Sequence, residues 1–190
     1  MKELYTVVRN AISEDALELI KNTILIDKQT KYYERGIDQN NRTAFGDEQS
    51  PISYANYSLP INDALALTIH PLMEKTTGLR LYPTYTYSRI YWKGSTLAKH
   101  KDRPSCQYSC TINIANDPEP WPIYMEGAEV ILNPGDMVVY QGCDAEHWRE
   151  PYEGNQQIQI FVHYVDADGI YADWKFDKRP MLGLSSKYKC

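Results

Sequence analysis

A histidine and a carboxylate stand two residues apart in His100-Lys101-Asp102, and a further histidine follows at His147. On an extended segment, residues i and i+2 point to the same side. His100 and Asp102 would then share a face, and His147 on a neighbouring strand would complete three ligands on one side of a metal ion. Two neutral imidazoles and one carboxylate suit ferrous iron and leave three facing coordination positions open. Taken alone, a His-x-Asp pair also describes a surface turn or a satisfied ion pair, and His147 in Asp144-Ala145-Glu146-His147-Trp148 also reads as a turn histidine. The remaining histidines carry less. His70 falls in a helical pattern and reads as packed or exposed, while His163 alternates with Gln157, Gln159 and Phe161 on one strand face and reads as bordering a cavity.

The elements that must position these groups come next. The chain has 190 residues, 43% of them hydrophobic, which is one domain with a sizeable core. Sixteen tyrosines against three phenylalanines favour half-buried strands around a polar interior. Tyr5 to Val8 reads as a short strand. Ser13 as N-cap, acidic Glu14 and Asp15, and Leu17, Ile20 and Ile24 at helical spacing predict a helix over 14–26. The polar stretch 31–56 has no period and reads as a long loop, with a lid facing the substrate as its functional reading. A second helix is expected over 61–77, bent or interrupted at Pro71 and closed by Gly78.

From Leu81 the texture is that of strands: 83–92, 107–114, 123–125, 129–132, 137–140 and 157–164, separated by turns such as Asn133-Pro134-Gly135-Asp136. Many short strands behind two helices predict a mainly β fold, a barrel or sandwich with helices on one face. The expected division is helical support and lid over 1–80, barrel core over 81–166 and a C-terminal extension over 167–190. The net charge of −5 offers no basic footprint for nucleic acid. Cys106, Cys110, Cys143 and Cys190 show neither zinc-knuckle nor dense disulfide spacing, so a reducing, cytoplasmic compartment is expected. The opening residues lack the apolar run of a signal peptide, and no stretch reaches transmembrane length. Oligomeric state is not readable from the sequence.

Read in order, Arg89 to Gly94, His100-Lys101-Asp102, Asn133 to Asp136, His147 and Gln157 to Asp166 resemble the Fe(II)- and 2-oxoglutarate-dependent dioxygenases, closest to their prolyl-hydroxylase-like branch. The resemblance spans about 85–166. It implies a double-stranded β-helix (a jelly-roll, cupin-like barrel), with His100, Asp102 and His147 as iron ligands and 2-oxoglutarate and O₂ as cosubstrates. It further implies a hydroxylase acting on an unactivated C–H bond of a small molecule or a protein residue, with succinate and CO₂ released. An intact Asp102 argues against halogenation, since halogenating relatives replace that carboxylate with a small residue.

The family holds the distal carboxylate of the cosubstrate with a Lys or Arg near the start of the last strand, assisted by a tyrosine. Tyr91 matches that tyrosine, but Asn155-Gln156-Gln157 stands where the cation would be. The nearest cation is Arg149, on the same face as His147 if that strand is regular. Arg149 is therefore the expected anchor, with Gln157 and Asn113 as neutral partners and Arg89 next in line. Its competing reading is a rim residue paired with Glu150. Candidate substrate contacts are Arg103, Trp121, Trp148, Tyr32, Tyr33 and Arg35, while Cys106 and Cys110 read as buried residues of one strand. Two other functions stay open: a barrel that binds metal or ligand without turnover, and a structural relative that has lost its cosubstrate.

Overall fold

The computed structural model describes residues 3–117 and 119–189. Its strands, in chain order, are β1 (Tyr5–Val8), β2 (Ser53–Tyr57), β3 (Leu81–Trp92), β4 (Leu97–His100), β5 (Tyr108–Asp117), β6 (Ile123–Met125), β7 (Ala128–Val130), β8 (Met137–Gln141), β9 (His147–Arg149) and β10 (Gln156–Asp166). Six form a major sheet in the order β1-β8-β5-β10-β3-β2, and four form a minor sheet in the order β4-β9-β6-β7. Their pairings are antiparallel. The two sheets are the halves of a double-stranded β-helix, the fold class that the strand pattern and the family resemblance had led us to expect.

Period-two alternation sorts the major sheet into two faces. Cys110, Ile112 and Ile114 of β5, Ile158, Ile160, Val162 and Tyr164 of β10, and Met137 and Val139 of β8 join the core against the helices. The other parity faces inward. Cross-strand register there aligns Tyr57, Tyr87, Phe161, Thr111 and Val138 in one row, and Ala55, Arg89, Gln159 and Asn113 in the next. Val138 and Tyr140 pack with Ile123, Met125, Val130 and Leu132, which closes one side of the barrel.

Helix α1 (Glu14–Glu34, 21 residues) runs to residue 34, past the 14–26 that its apolar spacing predicted. Residues 27–34 contain no breaker, and the Asp27–Lys31 pair (3.1 Å) supports the added turns. Tyr32 then falls on the same buried face as Leu17, Ile20 and Ile24. Helix α2 (Pro60–Thr77) runs unbroken through Pro71, whose ring lies on the solvent side, and ends at left-handed Gly78 (φ 75°). The stretch expected as one loop is therefore helix at its start and edge strand β2 at its end. Cys106 sits in a short helix, Pro104–Cys106, ahead of β5 and not on the strand with Cys110. Beyond β10 the chain turns through Ala172–Lys178 and Ser186–Tyr188 and lies against the barrel. Cys190 lies outside the described residues, and among the described helices none is long and apolar enough to cross a membrane.

Candidate metal centre and its surroundings

His100 ends β4 and His147 begins β9, and the two residues face each other across the minor sheet. Their rings lie 4.3 Å apart. Asp102, just past β4, sets its Oδ1 3.6 Å from His100 Nε2 and 3.8 Å from His147 Nε2. One potential ligand atom from each residue falls within 4.8 Å of the others. The second contacts of both imidazoles fix their tautomers. His100 Nδ1 lies 2.6 Å from the Ala98 carbonyl oxygen and His147 Nδ1 3.0 Å from that of Ala145. A carbonyl only accepts, so each Nδ1 carries the proton and each Nε2 presents its lone pair to the shared space.

The electrostatics agree with a cation site. Burial lowers the pKa of His147, which favours the neutral ligand form. Burial acts the same way on His100, but interaction with Asp102 outweighs it and raises the pKa. Asp102, although desolvated, is held below the usual carboxylate range by His100 and by the charges of His147 and His163. Its backbone N–H donates to Gly142 O (2.8 Å) at the turn after β8. A Cβ on Gly142 would overlap both the Cys106 carbonyl oxygen and the Asp102 carboxylate, so this close approach requires glycine.

Arg149 follows two residues after His147 on the same strand face and is 2% exposed. One Nη donates to the Trp121 carbonyl oxygen, and the guanidinium lies 4.8 Å over the Trp121 ring. Among the described residues, its Nε and second Nη are buried without a partner, as are the Tyr91 hydroxyl and Gln159 Nε2. Burial without a counter-ion pushes the Arg149 pKa down to about 10. A buried cation and neutral donors left open together form a cradle for a carboxylate. Gln157 lies cross-strand from Tyr91, its Oε1 also unpaired. Arg89 differs: both of its Nη atoms hold Asp47 (2.9 and 2.6 Å).

Several expected contacts fall elsewhere. Asn113 cannot serve as an extra donor, because its amide nitrogen donates to Leu132 O (2.7 Å) and Asn116 Oδ1 (3.1 Å). Tyr32 is fully buried and donates to Asn41 O (2.7 Å), a core residue of the extended α1. Arg35 caps α1 and covers Phe45 (4.9 Å), and Tyr33 is 86% exposed on the outer helix face. Trp148 points out of the barrel, as the residue between two inward ones must, and stacks on Tyr124 (5.2 Å). Trp121 walls the Arg149 cluster, edge-on to Tyr91 at 4.9 Å. Arg103 does face the chamber.

In front of the three ligands opens a cavity of about 420 Å³, walled by Tyr57, Tyr85, Tyr87, Phe161 and His163 with Arg103 and Lys189 at its edge. Tyr85, Tyr87, Arg89 and Tyr91 could have been found in the sequence as one inward face of β3. Gln159 shares its parity with Gln157. His163 is held by Ser109 (2.7 Å), and burial lowers its pKa to about 4.

No family model matches the chain, and no curated protein matches it by sequence. Solved structures do share its fold. AviO1 from Streptomyces viridochromogenes Tue57 superposes with a TM-score of 0.65 at 18% identity, covering 87% of this chain and 90% of its own. HygX from Streptomyces hygroscopicus, with nickel and 2-oxoglutarate bound, gives 0.63 at 11% identity (87% and 84% covered). A Pseudomonas putida prolyl-4-hydroxylase gives 0.57 at 13% identity (86% and 92% covered). The fold is thus that of the 2-oxoglutarate- and Fe(II)-dependent oxygenases.

Proposed function

We propose that this protein is a non-haem Fe(II)- and 2-oxoglutarate-dependent oxygenase that hydroxylates an unactivated C–H bond of a small molecule or a protein residue. The observation that carries the reading is Arg149, a buried guanidinium with no carboxylate partner among the described residues, two residues along the strand from His147. A fold does not strand a cation and neighbouring donors without a use for them, because desolvation costs several kcal/mol. A dicarboxylic 2-oxo acid fits both ends of the arrangement. His100, Asp102 and His147 would hold Fe(II), and Arg149, Tyr91 and Gln159 would receive the distal carboxylate. Fe(II) held by these residues would supply the O₂ chemistry that turns 2-oxoglutarate into succinate and CO₂ and oxidises the acceptor.

The protein's own contribution is positioning. The Ala98 and Ala145 carbonyls orient the two imidazoles, Gly142 holds the Asp102 backbone, and Leu97, Tyr140 and Phe161 wall the chamber against water. The unbridged thiols of Cys106, Cys110 and Cys143 support a reducing, cytoplasmic setting. Anaerobic titration with Fe(II) or Mn(II) tests the centre: wild type should bind one ion per chain and His147→Ala none. Retained tight binding in that variant removes the triad as drawn. A structural relative that has lost its cosubstrate is the reading favoured by Asn155-Gln156-Gln157 where the family has its cation, and succinate formation in air separates both it and a barrel that binds ligand without turnover from an oxygenase.

A further inference from the structure

The C-terminal segment carries Lys175, Lys178, Arg179, Lys187 and Lys189 against Asp168, Asp173 and Asp177, two positive charges in excess on a chain whose net charge is −5. That basic segment lies at the metal chamber, where Ser186 and Lys189 reach the wall. Asp177 organises the contact from a fully buried position. It accepts from the Tyr57 hydroxyl (2.6 Å), from both Nη atoms of Arg103 (2.9 Å each) and from Lys189 Nζ (2.6 Å). Two cations therefore share one carboxylate; both are more than a third exposed, and both line the chamber. The other ion pair of the wall, Arg89 with Asp47, balances itself. Below the cations the Tyr57 and Tyr85 rings stack at 5.1 Å, with Arg103 4.7 Å over Tyr85 and Lys189 5.2 Å over Tyr57.

From this we infer that the acceptor is a small molecule bearing a carboxylate or phosphate, held by Arg103 and Lys189 with its body against the tyrosine wall. The inference rests on the oxygenase reading for the acceptor's role but not for its binding. Asp47 is taken by Arg89 and Asp102 would be taken by the metal, so with the ion bound the clasp leaves one positive charge beside a low-dielectric aromatic surface, which focuses attraction on an anion. The clasp is distinct from the cosubstrate cradle: Arg103 and Lys189 are held on Asp177, whereas Arg149 is held against Trp121. A cavity of about 420 Å³ is in the size range of metabolite-sized ligands.

Calorimetric titration of protein loaded with Mn(II) and saturating 2-oxoglutarate, which fills the Arg149 cradle, tests the inference. The probes are benzoate and phenyl phosphate, each against neutral benzamide and phenol. The anions should bind at least tenfold tighter than their neutral counterparts, and added salt should weaken only the anions. Lys189→Gln should lose at least fivefold for the anions and leave benzamide unchanged, while Lys189→Arg restores the difference. The better anion of the two distinguishes a phosphate ester from a carboxylate. Equal binding of charged and neutral probes, an equal loss for both in Lys189→Gln, or no anion binding overturns the inference. Failure to take up Mn(II) and 2-oxoglutarate would instead strike the oxygenase reading; the same titration on metal-free Arg149→Gln protein then still decides this one.

Discussion

A guanidinium removed from water without a counter-charge opposes folding, and Arg149 is in that position. Its pKa falls to about 10, so the penalty is fully present below that pH and fades only as pH rises toward the ordinary guanidinium range. The shift corresponds to a cost on the order of 3 kcal/mol at neutral pH. Arg149→Met should therefore raise the melting temperature of the ligand-free protein while abolishing the further rise that 2-oxoglutarate produces in wild type. A lower melting temperature for the ligand-free variant would mean that the Trp121 contacts outweigh the desolvation. Arg149→Gln should weaken 2-oxoglutarate by about 2–5 kcal/mol with metal affinity nearly unchanged. Tyr91→Phe, which removes one neutral donor, should cost about 1 kcal/mol. Anaerobic titration reads both, and equal affinity in wild type and Arg149→Gln would remove Arg149 as the anchor, since Arg89, next in line by sequence, is already committed to Asp47.

Among the elements, the turn after β8 does the closest positioning. Gly142 accepts the Asp102 N–H (2.8 Å) and donates to Gln107 O (2.9 Å), pinning the loop that carries one ligand against the strand leading to another. Gly142→Ala has no space for its methyl group and must push Asp102 aside. Metal affinity should fall at least tenfold, about 1.4 kcal/mol, while the far-ultraviolet circular dichroism stays that of wild type. An unchanged Mn(II) titration would show that the turn yields instead.

The whole molecule is closed by a segment far along the chain from the strands it covers. Asp177, Phe176 and Lys178 all adopt positive φ (55°, 53° and 61°), a strained run for non-glycine residues that the clasp must hold. Burial would raise the Asp177 pKa, yet Arg103, Lys189 and Tyr57 bring it down to about 2. Because the folded value is depressed, the stabilisation is fully present above the unfolded value near 3.8 and is lost as pH falls through about 2. It should amount to about 1–2 kcal/mol, allowing for the exposure of its two cations. Acid unfolding followed in parallel should show Asp177→Asn insensitive across that window, with proteolysis near 172–189 faster at pH 7. Superimposable acid limbs would remove the clasp as a stabilising contact.

Much of this was written locally. Alternation along β3 and β10 and the i, i+2 spacing of His100 and Asp102 are properties of neighbouring residues, so the β fold and two of the three proposed ligands were legible from the chain alone. The helix over 14–26 was legible for the same reason, but its extension to Glu34 was not, because polar residues 27–31 show no apolar period and only packing reveals that Tyr32 is core. Long-range partners decided the rest. That Arg89 has Asp47, that Asn113 donates to Leu132 O, and that Asp177 reaches Arg103 are contacts between residues from 19 to 74 positions apart, while Arg149 meets no carboxylate among the described residues. No local pattern encodes such a pairing. Whether a buried polar atom is satisfied or left open for a ligand depends on what the closed barrel brings to it.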